Sequence, residues 1–257
     1  MSAGAAEGIR SPGEAPVGGS LAGQTVVVLG ASAGIGFETA RLARARGAEL
    51  VLNARNPDPL ERASRALGAR DARAFDAGDT KALDSFFAEV QGPLDHIMVT
   101  AGHPRYGSFS ELGPERARAA LAEHQLLSLE VASHAQRIVR PGGSLVLIGG
   151  TGGRRPRAGD AIANAVTATM PALTASLALE IAPVRVNLIA PGFVDTPLSA
   201  SILGPDLDER RAQLRRTLPI GRVVGPEDVA SLAVELMVNT AVTGATFDID
   251  GGQQLVE

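Results

Sequence analysis

The chain of 257 residues contains no cysteine, no tryptophan and a single tyrosine, Tyr106. Without cysteine it can form neither disulfide bonds nor thiol-based catalytic sites, and this composition fits a cytoplasmic protein. No continuous apolar run approaches the roughly 20 residues that a membrane-spanning helix needs. No metal-ligand spacing connects the histidines, which are His96, His103, His124 and His134. We therefore expect neither a metal site nor a membrane partner.

The chain also lacks a basic patch that would bind nucleic acid. Its formal net charge is −4 and its Lys and Arg residues are dispersed. With 45% hydrophobic and 20% charged residues its composition is typical of a globular protein. Residues 1–20 are rich in Ala, Gly, Pro and Ser and lack the apolar core of a signal peptide. We expect a flexible N-terminal arm there and a single domain over residues 21–257.

What the chain does contain is a glycine turn between a strand and a helix. A β-branched run over residues 25–29 leads into three glycines, and an apolar pattern of helical period follows. In such a turn, backbone N–H groups and the positive end of the helix dipole face a pyrophosphate. Phe37 and Glu38 stand where a nucleotide-hydrolase loop would carry Lys and Ser or Thr. The turn predicts a dinucleotide site formed by Gly30, Ser32, Ala33, Gly34, Ile35 and Gly36.

Strand-like runs alternate with helical patterns along the rest of the chain. Strands are predicted at 26–29, 50–52, 72–75, 97–99, 145–148, 184–189 and 246–249. Helices are predicted at 34–46, 58–67, 79–90, 114–139, 161–182 and 226–239. This alternation predicts an α/β protein, a Rossmann-type doubly wound parallel sheet of about seven strands with helices on both faces.

The longest stretch without a predicted strand, residues 192–221, is a candidate substrate lid. The charged residues 206–211 within it are more typical of a solvated helix face than of a binding patch.

The end of the second predicted strand indicates the type of dinucleotide. An NAD site usually has a carboxylate about 20 residues beyond the glycines, where it binds the ribose 2′-hydroxyl. Here Asn53 and Arg55 stand at this point and no carboxylate does. A guanidinium suits a 2′-phosphate because it forms paired, charge-assisted hydrogen bonds, and Ser32 could add a hydroxyl contact. We expect NADP(H) rather than NAD(H); the alternative is that Arg55 is a surface residue without a ligand.

Further motifs follow in order along the chain, namely Asp76-Ala77, Val99-Thr100-Ala101-Gly102, the segment from Pro191 to Thr196, and Asp250-Gly251-Gly252. With the glycine turn, they resemble the short-chain dehydrogenase/reductase family over roughly residues 22–254. The resemblance implies an adenine contact at Asp76 and Ala77 and coenzyme contacts at Ala101 and Gly102. It implies a nicotinamide-side segment formed by Pro191, Gly192, Val194 and Thr196. Thr100 departs from the asparagine that is usual at its position.

The catalytic positions of that family are changed in this chain. The family uses a Tyr, a Lys four residues later, an earlier Ser and an Asn on the preceding long helix. No Tyr-x-x-x-Lys occurs here; the resemblance puts Ala163 at the Tyr position and Thr167 at the Lys position. Gly150 occupies the Ser position, and His124 lies near the Asn position. Pro171 should also kink the helix that carries these residues, at a cost on the order of 3 kcal/mol.

Several side chains could take over proton transfer. Tyr106 could donate a proton to a carbonyl or simply line the pocket, and His124 could act as an acid or be a packed helix residue. Thr151 could orient an oxygen but cannot act as an acid unaided. His103 and Asp160 lie near the same predicted edge. The arginines after the Gly150 region could meet an anionic substrate or form a solvated turn; they are Arg154, Arg155 and Arg157.

Two functions from different classes remain open. The first is an NADP(H)-dependent oxidoreductase that transfers hydride to or from a carbonyl, alcohol or imine substrate, with Tyr106, His124, water or the substrate itself supplying the proton. The second is a catalytically inactive NADP(H)-binding protein that acts as a sensor or partner-binding subunit. A reaction without net redox change, such as a dehydration, is a third. The resemblance also implies a homodimer or homotetramer that pairs through the helices predicted at 114–139 and 161–182.

Overall fold

A parallel sheet forms the centre of the computed structural model, which describes residues 20–256 apart from 103, 105, 108, 155 and 156. Its seven strands stand in the order β3-β2-β1-β4-β5-β6-β7. Their bounds are β1 Thr25–Leu29, β2 Glu49–Ala54, β3 Asp71–Ala74, β4 Leu94–Val99, β5 Val139–Ile148, β6 Arg185–Pro191 and β7 Thr246–Ile249. The predicted fold class is thereby confirmed. The predicted N-terminal arm lies outside the described residues, except for Ser20.

Helices lie along both faces of the sheet. They are α1 Gly34–Ala45, α2 Pro57–Leu67, α3 Thr80–Glu89, α4 Phe109–Ile138, α5 Ala161–Glu180, α6 Pro197–Leu203, α7 Leu207–Thr217, α8 Pro226–Val238 and α9 Gln253–Val256. The six helices predicted from periodicity are among them. Gly113, with φ of 70°, interrupts the helical backbone of α4, which agrees with a predicted start at residue 114.

Alternation along the strands sorts the core into two layers. Val27 and Leu29 of β1 pack in the layer that holds buried residues of α3, α4 and α5. Val26 and Val28 face the other layer, with residues of α1, α2 and α8. Because successive strand residues point to opposite faces and both faces are covered, β1 is apolar and buried throughout.

The predicted lid region is helical over most of its length. Residues 197–217 form α6, a short 3₁₀ turn and α7, and the charged run at 206–211 lies mainly on α7. Leu214 of α7 is fully buried, so this region is packed onto the molecule rather than extended from it.

Helix α5 bears on two expectations. By length and composition alone it is apolar enough to cross a membrane, although no such stretch was expected, because its polar residues are uncharged apart from the terminal Glu180. It packs against α4 and β6 and contributes Met170 and Leu177 to the core, while 22% of its apolar window is buried. The helix continues through Pro171 to Glu180, and the kink expected at the proline stays a prediction.

Candidate active site

The glycine turn after β1 is closed tightly against the end of β4. A Cβ added to Gly36 would lie 2.2 Å from the carbonyl oxygen of Gly30 and 2.5 Å from Oγ1 of Thr100. Gly30 has φ of +95°, and a Cβ there would lie 2.6 Å from the same hydroxyl. Both positions therefore exclude any side chain, and the turn brings α1 directly under the strand end.

Thr100 has a structural role that the sequence did not reveal. Its hydroxyl donates to the carbonyl oxygens of Leu29 at 2.9 Å and Gly30 at 3.1 Å. It therefore joins the carboxyl end of β4 to the glycine turn. Threonine differs from the asparagine that is usual in the family, but it still provides a hydrogen-bonding side chain at the turn.

The N-terminus of α1 is suited to an anion. Its N-cap residue, Ala33, provides no side-chain acceptor, and the first turn contains no acidic residue. The first N–H groups of a helix have no partner within the helix, so here they are left for a ligand. Together with the glycine turn, these residues fit the pyrophosphate of a dinucleotide.

Asn53, in β2, and Arg55, just past the end of β2, differ in their contacts. The carbonyl oxygen of Asn53 accepts the N–H groups of Gly30 at 2.9 Å and Ala31 at 2.8 Å. Its side-chain amide is buried and donates to the carbonyl oxygens of Arg73 and Phe75, both at 3.1 Å. The amide nitrogen of Asn53 thus holds β3 and the chain beyond it to β2. Arg55 is exposed, and no ion pair joins it to another described residue.

The segment implied to contact adenine begins two residues beyond β3. Asp76 is exposed and its Oδ1 accepts the N–H of Gly78 at 3.0 Å, whereas Ala77 is buried. Beyond β4, Ala101 is half-buried, and Gly102 is exposed with φ of +102°. These residues follow the carboxyl ends of their strands, where ligands of a doubly wound sheet bind.

Residues 191–196 lie beside the glycine turn. A Cβ added to Gly34 would be 3.4 Å from the Cβ of Thr196, which is ordinary van der Waals contact. The N–H of Gly192 donates to the carbonyl oxygen of Ile249 at 3.0 Å, and Val194 bridges to Val224. Thr196 caps α6 by accepting the N–H of Ser199. The sequence motifs at 30–36 and 191–196 therefore meet in one cleft.

The loop after β5 lies on the helix face that would carry the family's Tyr and Lys. A Cβ on Gly150 would lie 3.1 Å from Cγ2 of Thr167, so these two positions are adjacent. A Cβ on Gly153 would lie 2.9 Å from the Cβ of Ala168. The glycines let the loop backbone lie directly against α5. Ala163 is buried, at 7% exposure.

Thr167 does not replace a catalytic lysine. Its hydroxyl accepts the N–H of Gly153 at 2.9 Å and donates to the carbonyl oxygens of Ala163 at 3.0 Å and Asn164 at 3.2 Å. Thr151 is buried, and its N–H donates to the carbonyl oxygen of Pro191 at 3.1 Å. Both threonines thus join the loop to its neighbours, and neither is an acid near neutral pH.

His124 lies between the ends of β4 and β5. Its Nε2–H donates to the carbonyl oxygen of Ile148 at 2.8 Å. Its Nδ1 lies 3.5 Å from the position that a Cβ on Gly102 would occupy. Counting along the chain had put His124 near the family's Asn position, and the structure puts it beside the implied coenzyme residues. One ring nitrogen is held by the backbone, and the other lies on the side of Gly102.

Tyr106 is poorly suited to give up a proton. Its side chain is 52% exposed, and the N–H of the next residue, Gly107, donates to the carbonyl oxygen of Gly159 at 2.9 Å. Partial burial raises the pKa of the phenol, and the negative charge of Asp160 raises it further. A catalytic tyrosine needs the opposite shift, because its phenolate must be stabilised.

Of the arginines after the glycines, Arg154 is held by other side chains. Arg154 forms an ion pair with Asp248 and donates to Oε1 of Gln254 at 3.2 Å. It therefore ties the 3₁₀ turn at Gly152–Arg154 to the C-terminal segment. Arg157 is exposed, while Arg155 and His103 lie outside the described residues.

Comparisons with known proteins agree with this geometry. A family model described as enoyl-(acyl carrier protein) reductase matches residues 30–254. A short-chain dehydrogenase/reductase of Stachybotrys chlorohalonatus is 29% identical over 251 residues, which cover 91% of this chain and 98% of that protein. The 3-oxoacyl-[acyl-carrier-protein] reductase of Homo sapiens is 30% identical over 238 residues, covering 89% of this chain and 97% of the relative.

A solved structure gives the same result. The crystal structure of a small-chain dehydrogenase in complex with NADPH superposes with a TM-score of 0.77 at 29% identity, covering 90% of this chain and 99% of that one. The residues that the family model matches, 30–254, include the glycine turn, the ends of β4 and β5 and the segment after β6. The chain belongs to the short-chain dehydrogenase/reductase family.

Proposed function

We propose that this protein is an NADP(H)-dependent oxidoreductase that reduces a ketone or a related carbonyl or imine, with His124 in place of the family's tyrosine as proton donor. The observation that carries the proposal is the arrangement at the carboxyl edge of the sheet. A glycine turn, a helix N-terminus without a side-chain cap and an exposed cation at residue 55, which no ion pair joins to another described residue, all lie there.

The choice of NADP(H) rests on Arg55. The residue stands just past β2, whose carbonyl at Asn53 accepts the N–H groups of the glycine turn. An exposed guanidinium at this point can bind a 2′-phosphate, and no carboxylate stands on residues 52–56 to bind a ribose hydroxyl instead. The similar small-chain dehydrogenase was crystallised with NADPH.

Proton donation is assigned to His124. When bound, NADPH supplies a hydride from nicotinamide C4 to the carbonyl carbon. The imidazolium of His124 donates the proton on Nδ1 to the carbonyl oxygen, which yields the alcohol. The hydrogen bond from Nε2–H to the carbonyl oxygen of Ile148 orients the ring. Ketone substrates are favoured because the human relative is named for a 3-oxoacyl substrate.

The first test of this proposal measures coenzyme binding. Calorimetry should show that Arg55→Gln weakens NADPH binding by roughly tenfold or more, as expected for a lost charge-assisted contact. Binding of NADH should change little, because it carries no 2′-phosphate. Arg62→Gln, an exposed arginine on α2, is the matched control. Equal binding of NADPH by the wild type and Arg55→Gln would exclude the assigned contact.

The second test measures turnover on a panel of ketones, aldehydes, quinones and imines. His124→Gln keeps a hydrogen-bonding side chain but removes the titratable group, and it should lower kcat by roughly 10²-fold or more. Tyr106→Phe should leave kcat within about twofold, since the proposal gives Tyr106 no acid role. If Tyr106→Phe lowered kcat and His124→Gln did not, Tyr106 would be the proton donor.

A second candidate function is coenzyme binding without catalysis. It is supported by the loop at Gly150–Gly153, which packs against α5 where the family has its Tyr and Lys. Tight NADPH binding with no turnover of any panel member would favour this sensor or partner-binding role. A dehydration or isomerisation would instead appear as substrate conversion without loss of NADPH.

We also propose that the protein is cytoplasmic and forms a homodimer or homotetramer. Exposed leucines on the neighbouring helices α4 and α5 support the proposed assembly; they are Leu121, Leu126, Leu129 and Leu179. Apolar side chains grouped on neighbouring helices are typical of an interface between copies. Residues 192–221 remain the proposed substrate lid.

A further inference from the structure

A bidentate ion pair joins α7 to the segment that borders the glycine turn. Nε of Arg211 lies 2.9 Å from Oδ2 of Asp195, and Nη2 lies 2.7 Å from Oδ1. Nη1 of the same guanidinium donates to Asp208 at 2.9 Å. The side chains of Arg211 and Asp195 are 29% and 28% exposed, so the contact is partly sheltered from solvent.

Asp195 lies in the segment that borders the glycine turn. The next residue, Thr196, is close to Gly34 of that turn, because a Cβ added to Gly34 would lie 3.4 Å from the Cβ of Thr196. The N–H of Asp195 donates to the carbonyl oxygen of Val224 at 2.9 Å. The backbone of Asp195 is thus held by Val224, and the side-chain carboxylate of Asp195 is held by Arg211 of α7. An unpaired Asp195 would place a negative charge next to the turn that is suited to phosphates.

We infer that Arg211 is a positioning residue for the coenzyme: through Asp195 it holds residues 192–196 against the glycine turn and neutralises a carboxylate that would repel the coenzyme phosphates. This inference rests on the proposed coenzyme function and goes beyond it, because Arg211 lies 16 positions from the partner that it controls. The fork of an arginine suits this role, since two parallel hydrogen bonds fix both the position and the angle of a carboxylate.

Calorimetric titration with NADPH tests the inference. Arg211→Gln should bind NADPH about fivefold more weakly than the wild type. Arg216→Gln is the matched control, because Arg216 is an exposed arginine in the last turn of the same helix and the charge change is the same. Its affinity should stay within about twofold of the wild type. Thermal melting of each variant without coenzyme reports whether it is folded.

The double variant Asp195→Asn/Arg211→Gln distinguishes charge neutralisation from a general loss of structure. Removing the carboxylate as well should restore most of the NADPH affinity, because the repulsive charge is gone and an amide pair can still form a hydrogen bond. A double variant that binds more weakly than Arg211→Gln would overturn the inference. Equal affinities of Arg211→Gln and Arg216→Gln would also overturn it. A wild type that binds no nicotinamide coenzyme would instead overturn the proposed function itself.

Discussion

His96 and His124 have different surroundings, the first within the sheet and the second on α4 near the carboxyl ends of the strands. His96 is buried inside the sheet, with Nδ1 2.9 Å from Oγ of Ser144 and Nε2 2.7 Å from Oε1 of Gln24. Burial lowers the pKa of His96 to about 3, and the positive charge of Arg185 adds to this effect. His124 donates from Nε2 to the carbonyl oxygen of Ile148, and its Nδ1 lies 3.5 Å from the position of a Cβ on Gly102.

The pKa of His96 predicts a pH dependence of stability. Below pH 6.5 the unfolded chain binds a proton at this residue, whereas the folded protein does not until about pH 3. Because the unfolded state binds more protons in this window, the free energy of unfolding falls as pH falls. Between pH 7.5 and 5.5 the free energy of unfolding should fall by about 1 kcal/mol.

Denaturant unfolding at several pH values checks this dependence against a His96→Gln variant. The variant should be less stable at pH 7.5, because glutamine cannot reproduce both hydrogen bonds, but its stability should fall less between pH 7.5 and 5.5. Identical slopes for the two proteins would contradict the prediction. The other histidines are unchanged in both proteins, so their contributions cancel.

Single residues were predicted unevenly from the sequence. Gly30 and Gly36 were identified because a positive φ and a close backbone approach leave few alternatives to glycine. The position of His124 followed from counting along a helix. The role of Thr100 was missed, because its partners at Leu29 and Gly30 are about 70 residues away in the chain.

At the scale of elements, α5 contains an unfavourable residue within a continuous helix. Pro171 has no N–H, so the carbonyl oxygen of Thr167 loses its usual partner four residues along. The ring also borders a cavity of about 170 Å³, together with Gly150, Gly153 and Thr167. The helix is maintained by its packing, since Met170 and Leu177 are buried in the core.

Replacing this proline should therefore stabilise the protein. Pro171→Ala restores the missing N–H and removes the ring from the helix interior, which should raise the free energy of unfolding by up to about 3 kcal/mol. Urea denaturation measures the change. Pro226→Ala is the matched control, because Pro226 is the first residue of α8, where proline is well tolerated.

The Pro226→Ala control should leave the free energy of unfolding unchanged or lower it slightly. If Pro171→Ala were also neutral, the surrounding structure would already compensate for the missing hydrogen bond. If it were destabilising, the contacts of the proline ring with the cavity wall would outweigh the helix effect.

The loop after β5 packs closely on helix α5. Glycines at 152 and 153 let the loop backbone approach Asn164 and Ala168 closely. A Cβ on Gly150 would lie 3.1 Å from Cγ2 of Thr167, so a lysine at 167 would need space near this loop. The residues at 150 and 167 are thus structurally connected.

At the scale of the whole molecule, the exposed leucines of α4 and α5 predict assembly. Leu126 and Leu129 are 52% and 44% exposed and stand one helical turn apart on α4. Burying such side chains against a second copy would contribute a large part of the association free energy.

Sedimentation equilibrium tests this assembly against the chain mass of 26.3 kDa. The wild type should have two or four times that mass, and Leu126→Gln/Leu129→Gln should shift it toward the single chain. Leu255→Gln is the control, because Leu255 is 82% exposed but belongs to α9 rather than to α4 or α5. A wild type of single-chain mass would exclude the proposed oligomer.

The sequence alone determined the seven strands, their main helices and the glycine turn, and it showed that a Tyr-x-x-x-Lys pair is missing. These features depend on local periodicity and on residue types at short spacing, so they can be read along the chain. Only the tertiary structure decided that Arg211 holds Asp195, that the amide of Asn53 serves the sheet, and that the loop at 149–153 covers α5. Such contacts join residues from different elements, and their partners follow from how those elements pack in space rather than from any local pattern.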